Sequence, residues 1–274
     1  MHKKVGLALG AGSTKGFAHI GVLQVLEENQ IPIDMIAGSS MGAIVGAIYS
    51  VGSDMHLLQR YLNTMNIRNY LDLHSPFGAG LIKGNRLQEV LKVFTHNKTF
   101  AQTKTPFCCV AVDAEHGRLD VLENGYLHKA VRASMSIPAI FEPVRLDGKT
   151  YIDGGVIERV PIKALRDRGM EVIIAVDVGY HGGETDVSGM NMYQLMNYTI
   201  SIMQWRMNSL RQENADVLLV PEVLHVKGHF QMDQVESCIL EGRRVAAEAL
   251  PQIRRLIGAT GCGLDPRAEP CGTE

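Results

Sequence analysis

The chain opens with a short apolar run, Val5 to Leu9, that stops at Gly10, the pattern of a strand buried on both faces. After a glycine-bearing loop from Gly10 to Gly16, apolar residues recur at Phe17, Ile20, Val22, Leu23 and Leu26, with Gln24, Glu27 and Glu28 between them. That spacing predicts a helix over 17–29, with Pro32 just past its end as a stop. A second strand is expected over 33–38, running into a sharp turn and a helix rich in Ala, Ile and Val. This opening reads as an α/β fold built on a parallel sheet.

Further helices are expected over 55–65, 85–94, 127–135, 161–168, 191–214 and 235–257. Strands are expected over 107–112, 118–122, 171–178 and 217–220, with a hairpin over 144–152 turned at Asp147-Gly148. Residues 71–84, with Pro76 and three glycines, break the pattern and read as a mobile surface segment, either a flap over the site or a packed connection. Met192, Met196, Met203 and Met207 share helical spacing and are expected in the core, with an acyl channel or a dimer face as alternatives. Residues 1–258 read as one domain and 259–274 as a flexible tail.

Composition narrows the class. The 274 residues are 46% hydrophobic and 20% charged, as in an ordinary globular protein. A net charge of −2 gives no electrostatic footprint for nucleic acid. Cys108, Cys109 and Cys238 read as buried thiols of a reducing compartment, while Cys262 and Cys271 fall in the tail. No signal peptide or membrane-length apolar run is visible. A cytoplasmic location is expected, with any membrane contact peripheral, at the inner face.

The turn after the second strand is Gly38-Ser39-Ser40-Met41-Gly42, a G-x-S-x-G in a strand–turn–helix setting. There a serine hydroxyl is exposed on a strained turn, and the first N–H groups of the next helix point at the same spot. A serine nucleophile needs a base. If that base is a histidine held by a carboxylate, the candidates are His181, His225 and His229. Asp153, after a strand and before Gly154 and Gly155, is the other candidate, or else an Asp-Gly turn residue. The Gly10 to Gly16 loop ahead of a helix also invites a dinucleotide-binding reading. The spacing does not fit, since Lys15 takes the place of the third glycine and Gly16 comes one residue late. His19, Asp113 and Asp177 read as structural. His225 and His229 lack the glutamate of a helical metal motif, so neither metal nor cofactor is expected.

Taken in order, Gly6 to Leu23, Gly38 to Gly42, Arg132 to Val144 and Asp153-Gly154-Gly155 resemble the patatin-like phospholipases. More narrowly they are similar to the compact bacterial branch related to the catalytic domain of neuropathy target esterase. The resemblance implies a three-layer α/β/α sandwich with a mainly parallel central sheet. It also implies a Ser–Asp dyad without histidine, in which Ser40 attacks the ester and Asp153 moves the proton. Backbone N–H groups of Gly12, Ser13 and Met41 would form the oxyanion hole. Gly10, Lys15, Gly16, Gly38, Gly42, Gly154 and Gly155 would support the motifs. At three positions of the family's G-x-G-x-x-G this chain has Ala11, Ser13 and Gly16, which keeps the N–H donors but makes any positive φ less comfortable. The implied substrate is a phospholipid or lysophospholipid ester. An acyl-CoA thioesterase, a general carboxylesterase and a non-catalytic regulatory protein of the same fold are the alternatives. Oligomeric state stays open.

Overall fold

In the computed structural model, residues 3–65, 70, 72, 80–209, 215–223 and 232–258 are described. Most of the expected flap, the tail, His225, His229, Cys262 and Cys271 lie outside them. The chain order is β1 (Val5–Leu9), α1 (Ala18–Glu28), β2 (Met35–Gly38), α2 (Met41–Ser50), α3 (Met55–Leu62), β3 (Gly80–Ile82) and α4 (Asn85–Phe94). Then come β4 (Phe107–Asp113), β5 (Arg118–Leu122), α5 (Leu127–Ser134), β6 (Ala139–Phe141), β7 (Val144–Leu146) and β8 (Lys149–Asp153). The last elements are α6 (Ile162–Arg166), β9 (Val172–Val176), α7 (Met192–Ser209), β10 (Val217–Leu219) and α8 (Val235–Ile257).

Among the described residues, eight strands form one sheet in the order β10-β9-β1-β2-β4-β8-β7, with β5 also paired to β4. Strands β10, β9, β1, β2 and β4 run parallel. The chain then turns back, so that β5, β8 and β7 pair antiparallel. Alternation along β1 sends Val5, Leu7 and Leu9 into the core under α1, α2 and α8, while Ala8 faces the thinner layer around Ile162 and Leu165 of α6. Helices thus cover both faces of a mixed sheet, the α1 side far more thickly.

Two short elements depart from the expected pattern. Gly80–Ile82, inside the stretch read as a flap, pairs in parallel with Ala139–Phe141 as a separate two-stranded sheet. The methionines of α7 do not enter the core: Met192, Met196, Met203 and Met207 are all exposed. Helix spacing fixed their common face, but what covers a face is decided by neighbours that spacing does not encode. Cys108, Cys109 and Cys238 are buried free thiols, as expected. No described helix is long and apolar enough to cross a membrane.

Helices α1 and α8 cross at two glycines. A Cβ on Gly21 would collide with the Ile239 carbonyl, and one on Gly242 with the Ala18 carbonyl. Because backbone lies on both sides, no rotamer change relieves the clash. Gly242→Ala is expected to cost about 3 kcal/mol, the upper end of overpacking penalties, seen as a lower urea midpoint at unchanged slope.

Candidate active site

Strand β2 ends at Gly38 and α2 begins at Met41, so the turn between them has only two residues. Ser40 makes it by adopting φ 53° and ψ −118°. For a residue with a side chain that conformation costs on the order of 1–3 kcal/mol. The flanking glycines are required by space. A Cβ on Gly42 would strike the Leu9 carbonyl, and one on Gly38 the backbone of Ala43. The Ser40 carbonyl accepts from the N–H groups of Ala43 and Ile44. Its own N–H donates to Ser134 Oγ at 3.1 Å.

Asp153 arrives on β8, whose last residue pairs with Ala111 of β4. Its N–H donates to the Ser136 carbonyl at 2.9 Å, and its Oδ1 accepts from Gly155 N–H at 2.7 Å. Both Ser40 and Asp153 are only 4% exposed. Burial pushes the Asp153 carboxyl up to about 6, against the opposing pull of the Ser40 hydroxyl and the Gly155 N–H. Oδ2 has no hydrogen bond of full geometry, although the Ser40 side chain is near enough to favour the carboxylate. A catalytic hydrogen bond that is loose at rest and tightens with substrate has this form. Gly154 and Gly155 are again demanded by space, since side chains there would meet the Val110 carbonyl and Ala11 Cβ.

The loop after β1 is held from three sides. Gly10 N–H donates to the Val176 carbonyl at 3.0 Å, and Ala11 N–H to the Arg159 carbonyl at 2.8 Å. The Gly10 carbonyl accepts from His19 Nε2 at 2.8 Å. Burial pushes His19 down to about 4, so the imidazole is neutral at pH 7. Ser13 carries a positive φ of 51°, the strain expected where this chain lacks a glycine. Among the described residues, no acceptor engages the N–H groups of Gly12 and Met41. Ser13, Ser40 and Met41 line one cavity. Lys15 is partly buried, and burial followed by the nearby Arg159 charge lowers its pKa.

Asp177 and Asp113 are structural, as read. Asp177 forms a buried ion pair with Arg159. Burial opposes its charge, but His181 and Arg159 outweigh that and hold its carboxyl below the usual range. Asp113 caps the turn after β4 through the N–H groups of Glu115 and His116. His19 gives its proton to a backbone carbonyl, and His181 lies 3.6 Å from Asp177. Neither is seen to contact Ser40.

The cavity beside Ser40 has a volume of about 930 Å³ including its open mouth. Its wall is formed by α2, α3 and α4, with Ile44, Ile48, Leu58, Leu91 and Phe94 among the lining residues. Apart from Ser13, Thr14 and Ser40, that lining is apolar. Ser134, Ser136 and Arg159 were not singled out from the sequence. Each acts through a backbone atom or a distant acceptor, which leaves no trace in spacing.

Burying Asp153 has a stability consequence with a definite sign. Its folded pKa of about 6 lies above the ordinary 3.8, so between those values the folded state binds more protons than the unfolded chain. Stability therefore falls as pH rises through that window. Asp153→Asn removes the penalty and is expected to stabilise the protein at pH 8 by about 2–3 kcal/mol. The gain should vanish below pH 4, as measured by urea unfolding across pH.

Residues 7–166 match the patatin-like phospholipase family model. Over 185 residues, 65% of this chain, the sequence is 34% identical to a lysophospholipase NTE1 of Cryptococcus neoformans, of which that stretch is 11%. It is 32% identical over 177 residues to an NTE family protein of Mycobacterium bovis, covering 64% of this chain and 49% of the relative. The chain thus spans half or less of the length of these relatives. VipD of Legionella pneumophila superposes with a TM-score of 0.51 at 16% identity, covering 92% of this chain and 67% of VipD. The type III effector ExoU gives 0.51 at 13% identity, covering 92% of this chain and 53% of ExoU. At those identities the likeness is one of fold. The family match covers more than half of the chain and carries both the serine turn and Asp153, and the chain belongs to the patatin-like phospholipase family.

Proposed function

We propose that this protein hydrolyses the carboxylic ester of a phospholipid or lysophospholipid through Ser40 and Asp153, with an acyl-enzyme intermediate. The observation that carries the reading is a buried carboxyl beside a strained serine at an apolar cavity. Ser40 Oγ attacks the ester carbonyl carbon while its proton passes to Asp153. The tetrahedral oxyanion forms against the free N–H groups of Gly12 and Met41, with Ser13 beside them. Asp153 then protonates the departing alcohol, leaving acyl-Ser40. A water molecule, deprotonated by Asp153, attacks that ester; the acyl C–Oγ bond breaks as Asp153 returns the proton to Ser40 Oγ, and the fatty acid leaves.

An ordinary aspartate is too weak a base for this work. Burial brings it close to neutrality, where a general base is most effective. Relatives named lysophospholipases support a lipid substrate, as does the apolar lining. The cavity's apolar wall runs from Ser40 past Ile44 to Ile48, which suits an acyl chain.

A fluorophosphonate probe is expected to label the wild type and to spare Ser40→Ala. Asp153→Asn should lose roughly 10²–10⁴-fold in kcat, the usual worth of a general base. The wild-type kcat/KM should rise with pH through about 6 and then level, because the base must be ionised. A folded wild type that is never labelled would overturn the proposal.

Ile48 lines the cavity two turns beyond Ser40 on α2, about 12 Å along the helix axis. An extended chain gains about 1.2 Å per bond, so a ten-carbon acyl group reaches this point. Ile48→Trp is expected to lower kcat/KM for esters longer than that by about tenfold, a typical cost of a blocked pocket. Butyryl esters should be little affected, as read from a series of p-nitrophenyl esters.

A further inference from the structure

Helix α7 crosses the loop that follows Asp153, and its inner side is firmly held. Gln204 Nε2 donates to the Gly155 carbonyl at 2.8 Å. Tyr180 meets both Tyr198 and Trp205 edge-on. Among the described residues, the outer side has no such partner. Met192, Leu195, Met196, Met203 and Met207 fall in one helical stripe and are exposed, Met192 to 88%. Along these 18 residues there is no acidic side chain, and Arg206 is the only charge. Exposed apolar stripes of this extent mark contact surfaces.

We propose that the methionine face of α7 seats the protein on a lipid surface. The inference rests on the lipid-hydrolase reading and adds the element that delivers the site to its substrate. A stable pairing with a second copy needs about 20–30 residues a side, whereas this stripe offers five large apolar ones on a single helix. A shallow apolar face is enough for a helix lying in a bilayer interface. Methionine side chains adapt to irregular surroundings, and disordered acyl chains are such surroundings. With no carboxylate on the helix, anionic headgroups meet no repulsion there. The bond from Gln204 to Gly155 ties the inner side of α7 to the loop two residues from Asp153, so the helix that carries the face is anchored beside the site.

The test is cosedimentation of the whole chain with vesicles of phosphatidylcholine and phosphatidylglycerol. The wild type is expected to pellet with vesicles, and Met192→Glu/Met203→Glu to partition at least tenfold less. Leu240→Glu, at an exposed apolar residue of α8, should bind like wild type. All three proteins should hydrolyse a short soluble ester at the same rate, which verifies folding independently of docking. The proposal is overturned if the wild type stays in the supernatant or if the double variant binds equally well. It is also overturned if sedimentation velocity shows that the double variant converts a dimer to a monomer, assigning the face to a second copy. A wild type that binds vesicles but hydrolyses no soluble ester counts against the hydrolase reading and in favour of docking.

Discussion

The strained backbone of Ser40 is the constraint around which the rest is arranged. A serine at φ 53° persists only where its surroundings leave no alternative. Here α2 starts so close to the end of β1 that only glycine fits at position 42. The Ser40 N–H is fixed by Ser134, at the end of α5. Two residues later, the Ser136 carbonyl holds Asp153. One short segment after α5 therefore touches both partners. It sets Ser40 and Asp153 relative to each other, although the sheet brings them in on strands of opposite direction.

A second tension lies in the carboxyl itself. Solvent would stabilise its charge, and the fold withholds solvent. One backbone N–H and one hydroxyl replace part of what water would supply. The remaining deficit raises its proton affinity towards neutrality, which the proposed transfer from Ser40 requires. Stability and reactivity at this position are thus two readings of a single desolvation.

Much of this was legible in the sequence because the signals were local. Alternation and glycine breaks placed β1, β2, β4 and the β7–β8 hairpin, and helical spacing placed α1, α4 and α8. The serine turn and Asp153-Gly154-Gly155 stood out by motif. Other features depend on partners far along the chain. Ser134 meets Ser40 across 94 positions; the segment that holds it stands out only through the family resemblance, and its spacing does not reveal the contact. The pairing of β3 with β6 involves three-residue strands, too short to show a period. The methionines of α7 kept their expected common face but faced solvent, because packing decides which faces are covered.

The position of β9 within the sheet bears on where the cooperative unit ends. The family match closes at residue 166, before β9 begins. Yet β9 lies between β10 and β1, and its Val176 carbonyl anchors Gly10. Ending the chain at the match boundary would turn β1 into an edge strand with bare N–H and C=O groups and strip α8 from α1. The stretch recognised by similarity is thus shorter than the sheet and helix layer that β1 and α1 pack into. A segment that keeps β1 paired on both edges includes β9, and one that keeps α1 covered includes α8.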